Sequence, residues 1–359
     1  MTPTVYNATP FAQQCMLLMD KHGQLFFAII VCATYGFDDA GEPVPLREQP
    51  SVPLGDEPCG EPGRSSLRRA SVASAAKPAV DFIVQASAHA PQGRPVAELA
   101  VGMRVGAWRK VLRVVGDRRW SGVLGNKASA PQPFITMPLR YERAFGGSVF
   151  DDQGLLRACH AHNPVGVGWK GARSMDPAVA SELPNIELPG QRLESAGDEI
   201  DVAGLGAIAP NWLPRVRYAG TCDQHWVETR CPVPPADIDD RFRQCAPLDQ
   251  QWPDAMPNTE VQLVNLTPEG RWRFRMPAPE IGVSVLHAGG LSNHRLRVDT
   301  VHVDAEARTV SLIARHCLTD LRRLGLVRDV VIGEASPAWL RARSAGKRYI
   351  GRREPAKAG

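Results

Sequence analysis

Proline and glycine recur along this whole chain, 31 and 32 of them in 359 residues. Both residues interrupt helices, so the chain cannot be assembled from long ones. Between the interruptions lie short runs in which apolar and polar residues alternate, the pattern of half-buried strands. The longest apolar run, LFFAIIVCA at Leu25 to Ala33, has nine residues. It is too short to cross a bilayer and fits a strand buried on both faces.

Met16 to Phe37 predicts a hairpin that turns at Lys21–His22–Gly23. Residues 38–79 are rich in Pro, Gly and Ser and read as either a long ordered excursion or a flexible loop. DFIVQASAHA, PVAELAVGMRVG and WRKVLRVVGDRRW then alternate as an antiparallel meander, with FITMPLRYERAF as a further strand. Residues 150–215 show no sustained period and read as loops laid over a sheet. Short helices are expected near Asp176 to Glu182 and from Asp237 to Cys245, the second capped by Asp237. TEVQLVNLTPEGRWRFRMP and HRLRVDTVHVDAEARTVSLIARH each predict a hairpin, whereas Leu318 to Val331 fits helix or strand equally. The fold class that follows is mainly β: antiparallel, sandwich-like sheets with long loop-rich insertions and a few short helices. The chain divides into an N-terminal hairpin with its Pro/Gly-rich excursion (1–79), a main β-rich domain (80–337) and a tail (338–359).

The tail holds seven basic residues and one acid, a net +6 against +4 for the whole chain, which leaves −2 for residues 1–337. A near-neutral body offers no electrostatic case for nucleic acid. The tail itself reads as a solvated, partly disordered terminus, with contact to an acidic partner, RNA or a membrane surface as the alternative. Neither a secretory signal nor a membrane span is expected from the pattern, and eight Cys without a C-x-x-C pair read as free thiols in a cytoplasmic protein.

Two charged blocks stand out: GDRRW at 116–120 and MPLRYERAFGG at 137–147. Arg and Glu set among large aromatics point to a fixed polar network or a binding surface, carried by Asp117, Arg118, Trp120, Arg140, Tyr141, Glu142 and Arg143. As a strand, the second block would put Arg140 and Glu142 on one face and Tyr141 and Arg143 on the other. Cys159, His160 and His162 have metal-ligand types but no second cluster at zinc spacing. Cys222, Asp223 and His225 offer a nucleophile and a base without a marked oxyanion hole. No phosphate loop, dinucleotide fingerprint, G-x-S-x-G or H-E-x-x-H occurs. The expectation is a protein without catalytic, cofactor or metal residues. The alternative is an enzyme with a cryptic pocket around Cys222 and His225, with Asp223, Asp117 and Arg143.

Nine motifs in order across residues 77–251 carry a family resemblance. They are KPAVDFIV, AHAPQGRPV, GDRRW, PFITMPLRYERAFGG, NPVGVGW, LPNIE, GLGAIAPNWLPR, AGTCDQHW and APLDQQ. Together they resemble the bacterial domain-of-unknown-function family 2169. The resemblance implies an accessory role in type VI secretion: an adaptor or chaperone that helps load a secreted effector onto the VgrG/PAAR spike. A structural component of the secretion apparatus is a further possibility. The chain departs from the family pattern at Cys32, where Lys is usual, and at Cys222, where an aromatic is common. On this reading the charged blocks lock the fold: Asp117, Arg118, Arg140, Glu142 and Arg143 bond one another and nearby backbone. The partner surface falls in 38–79 and 150–215.

Overall fold

The run Leu25–Phe37 forms a 13-residue strand next to one edge of the largest sheet. A computed structural model describes residues 3–121, 127–169, 182–195, 198–288, 290–319, 327–347, 349 and 356–357. In that sheet the order is Gln251–Trp252, Val80–Gln85, Arg297–Asp304, Thr309–Leu318, Leu25–Phe37 and Ala12–Met19, with Pro43–Pro45 also on Leu25–Phe37. All neighbours are antiparallel except Val80–Gln85 with Arg297–Asp304. The N-terminal segment therefore supplies one edge of the same sheet as residues 80–318.

Each predicted hairpin has a local cause. At residues 20–24, Asp20 Oδ1 accepts from the amides of His22 (2.8 Å) and Gln24 (2.9 Å). Gly106 takes φ +56 in the turn between Glu98–Val105 and Trp108–Val115. Asn265 N donates to Gly270 O at 2.7 Å and closes the turn between Glu260–Val264 and Arg271–Arg275. These last four strands, with Ile186–Glu187 at one edge, make a second antiparallel sheet. A third sheet runs Gly290–Arg295, Gly282–His287, Val327–Ile332, Thr4–Asn7 and Ala356–Lys357.

One face of the large sheet packs on both of the others. Alternate residues Val80, Phe82, Val84, Val301, Val303, Val310 and Leu312 meet Val101, Met103, Leu112, Val114, Val261 and Leu263 of the second sheet. Phe27, Ile29, Val31 and Ala314 meet Val283, Val285, Val330 and Ile332 of the third. The architecture is thus mainly β and mostly antiparallel, with sheets packed face to face. The opposite face is covered by irregular chain: Val52, Val72 and Ala75 close over Phe26, Ala28, Ile30 and Cys32. The Pro/Gly-rich stretch is the ordered alternative, a cover for a sheet that would otherwise expose its second face.

Several local expectations change. Residues 141–143 form a 3-10 turn, not a strand. A 3-10 turn at Asp240–Arg243 is capped by Asp239, while Asp237 instead accepts from Thr221 N and Oγ1. Val327–Ile332 is a strand. The helix expected near 176–182 lies outside the described residues except at Glu182. The tail begins as a helix, Pro337–Ser344, whose Trp339 is buried edge-on against Tyr6 at 5.0 Å. An aromatic anchor outweighs the tail's charge, and Arg343 pairs with Asp329 at 2.6 Å.

Candidate functional site

The residues singled out by sequence fall into three separate arrangements. In the first, Asp117, Arg143 and Asn185 form a small ring. Arg143 Nη1 donates to Asp117 Oδ1 (3.2 Å) and to Asn185 Oδ1 (3.0 Å), and Asn185 Nδ2 donates to Asp117 Oδ1 (3.0 Å) and Val115 O (3.0 Å). The 3-10 turn at 141–143 places Arg143 over the end of Trp108–Val115. Asp117 is mostly exposed, so this ring sits at the rim.

Arg118 points inward instead. Its Nη2 donates to Pro184 O (2.7 Å) and to Glu187 Oε1 (2.5 Å), and both side chains are buried. Glu187 also pairs with Arg113, which takes Glu98 in a two-pronged bridge at 2.5 and 2.7 Å. The Arg113 hydrogen bond holds the Glu98 carboxyl below its ordinary range. Trp120 packs beside Phe145, Leu183 and Leu193.

The third arrangement belongs to the turn itself. Glu142 accepts from Ser66 N (2.8 Å) and Oγ (2.7 Å), tying the excursion to the turn. Tyr141 is buried against Trp212, its hydroxyl donating to Gly206 O at 3.2 Å; burial pushes that phenol up. Gly204 lies so close to the Tyr141 ring that a Cβ there would clash. Arg140 is exposed and, among the described residues, takes no part in these bonds. It lines a cleft of about 550 Å³ with Arg68, Cys59, Asp304 and Glu306. The locking network is thus split: the side chains of Arg140, Glu142 and Arg143 do not bond one another, because the 3-10 turn that Arg143 N closes on Arg140 O at 3.0 Å spreads them in different directions.

Cys222, Asp223 and His225 are exposed at the start of the short helix Gln224–Thr229. Asp223 caps that helix, accepting from Trp226 N at 2.9 Å, and Trp226 Nε1 donates to Val233 O. Asp117 and Arg143 are held in their own ring, and none of the three residues at 222–225 lines the cleft beside Arg140 or the one beside Arg118. His160 is half-buried, 5.3 Å from the Phe145 ring and 5.8 Å from His162; burial, then His162, lowers its imidazole.

Sequence reasoning passed over a deeper cluster. Asp81, fully buried near the start of Val80–Gln85, receives Lys77 Nζ (2.6 Å), Cys245 N (2.8 Å), Gln244 Nε2 (2.8 Å) and Ala246 N (3.1 Å). Burial alone would push the Lys77 amine down, but Asp81, Cys245 and Asp299 more than offset it and hold it charged. Burial, then Asp81, raises the Cys245 thiol to about 11, so it is unreactive. Beside it, Arg315 Nε pairs with Asp299 Oδ2 (2.5 Å) while Nη1 donates to Val72 O, Ser74 O and Ala75 O. The signal was present in KPAVDFIV: an aspartate inside an apolar strand needs a buried partner. Asn163, also missed, braces the Tyr141–Gly146 turn by donating to Tyr141 O (2.8 Å) and Phe145 O (3.0 Å).

The model of a family described as uncharacterized proteins conserved in bacteria, domain of unknown function 2169, matches residues 22–315. The chain belongs to this family. No curated protein and no solved structure matches it. In this family-2169 protein all the arrangements above fall within the matched span, and no helix among the described residues is long and apolar enough to cross a membrane.

One further region stands apart from the polar clusters. The hairpin Ser148–Phe150 with Leu156–Cys159 sets Phe150 opposite Leu156. Phe150, Leu155 and Leu156 are 48%, 58% and 55% exposed, which makes a small apolar patch at the start of the loop-rich middle. Arg64 of the excursion lies over the Phe150 ring at 5.5 Å, so the patch adjoins the 38–79 segment.

Proposed function

We propose that this protein is a non-enzymatic adaptor or chaperone that helps load a type VI secretion effector onto the VgrG/PAAR spike. The observation that carries the binding part is the hairpin patch of Phe150, Leu155 and Leu156. Adjacent large apolar side chains held in water by a rigid frame favour a protein partner. The buried carboxylate–cation clusters supply that frame, since their bonds run to backbone and to one another. The secretion part rests on the resemblance of the nine motifs. The test is co-purification of the protein with its effector and with PAAR or VgrG, using the wild type and a Phe150→Ser, Leu156→Ser variant. Loss of the complex in a variant of unchanged unfolding midpoint supports the reading. An effector whose stability and secretion are unchanged in a deletion strain overturns it.

A further inference from the structure

The three large sheets end on edges of very different chemistry. The second ends on Arg271–Arg275, where Arg271, Arg273 and Arg275 alternate in solvent and repel any like strand. The third ends on Gly290–Arg295, which carries His294 and Arg295. At one side the large sheet stops at the two-residue strand Gln251–Trp252. At the other it stops at Ala12–Met19, AQQCMLLM: eight residues without a charge or a proline. Natural sheets blunt such edges with charge, proline or brevity, because the outward amides and carbonyls template another strand. None of those devices is present here. Both faces of the large sheet are covered, yet none of the eight residues is fully buried and Leu17 is 55% exposed, so access is from the edge. Among the described residues no backbone bond reaches this strand from its outer side.

We propose that Ala12–Met19 pairs antiparallel with the same strand of a second copy, joining two large sheets across a two-fold axis. Such an axis sets the strand against its own sequence, so an edge of one charge sign would repel itself and an uncharged one does not. Antiparallel pairing sets Gln13 and Gln14 against Leu17 and Leu18 of the other copy, amide stems over apolar tips. The charged turn at Asp20–Lys21 lies beside Pro10–Phe11, away from its own copy. Strand pairing alone buries little area, so the dimer is weak and concentration-dependent.

Sedimentation equilibrium up to about 100 μM tests this. The wild type should approach twice 39.1 kDa. Gln14→Lys with Leu17→Lys should stay monomeric, its dissociation constant raised by more than about tenfold. Gln14→Glu with Leu17→Glu should do the same. An equimolar mixture of the two variants should dimerise again, which a misfolded variant would not do. A wild type that is monomeric throughout overturns the proposal and leaves the edge to an extended segment of another polypeptide. A dimer that survives either charged variant overturns it too, because its interface then lies elsewhere.

Discussion

The two faces of the large sheet are both buried, and they are built from different chemistry. One face meets regular sheets and is mostly apolar, with Phe82 stacked on Trp252 and Ile29 clustered with Val285, and with His316 set against His294 at its margin. The other meets irregular chain and is studded with Asp81, Thr300, His302, Ser311, Arg315 and Thr34. The cause lies in the cover. A sheet satisfies its own backbone, so it can rest on a dry surface, whereas irregular chain brings unpaired carbonyls and amides that must find partners. Arg315 takes three cover carbonyls, Asp81 takes two cover amides, and Gln49 clasps Thr34 backbone from the cover side. The polar face is therefore a mould for the Pro/Gly-rich excursion and residues 244–246.

The sharpest break of this comparison is Asp81→Ala. It removes the carboxylate shared by the buried Lys77 ammonium and four other donors, and should cost about 3 to 5 kcal/mol in urea unfolding. Adding Lys77→Met should recover part of that loss; no recovery would mean that the pair is not the cause. On the apolar face, Phe82→Ala should cost about 3 to 4 kcal/mol as a cavity, with no partner substitution able to restore it.

The faces should also separate by pH. Burial lowers the His302 imidazole from 6.5 to about 4, and its Nε2 is sealed from solvent. The unfolded chain binds a proton there near pH 6.5, and the folded chain does so only near 4. The stability tied to neutral His302 is thus whole above pH 6.5 and is lost as pH falls towards 4, up to about 3 kcal/mol. His302→Gln should flatten the acid limb of an unfolding-midpoint profile; an unchanged limb assigns the lability to other groups.

Smaller effects are expected at the rim. Arg143→Ala should lower stability by about 1 kcal/mol or less, because its bond to Asp117 is open to water, and a larger drop in thermal scans would place that ring in the frame. Smallest of all, Phe150→Ser with Leu156→Ser should shift stability by about 0.5 kcal/mol or less while removing partner binding. A large loss of stability would make the hairpin part of the core.

How much of this was legible depends on the range of the interaction. The hairpins turned at Asp20, Gly106 and Asn265 were readable, since those residues act within five positions; the Ser148–Cys159 hairpin, despite its local Asp151 turn, and the Gly282–Arg295 hairpin were not. The 3-10 turn at 141–143 was not, because its form depends on Asn163 and Ser66, which are distant in sequence. The chemistry of Arg118 and Arg143 was readable as Arg–carboxylate pairing, but their partners Glu187 and Asn185 were not. LPNIE was noticed as a motif and gave no hint of where its side chains point.

Local pattern settles the mainly β class, the hairpins turned at Asp20, Gly106 and Asn265, and the strand buried on both faces. Periodicity and turn chemistry act within a few residues of the backbone, and a nine-residue apolar run admits few fates. Only the tertiary structure decided which arginine is buried, which face is polar and where the excursion lies. Those outcomes depend on contacts between residues far apart in the chain, and nothing local to KPAVDFIV or GDRRW states what will be brought against it.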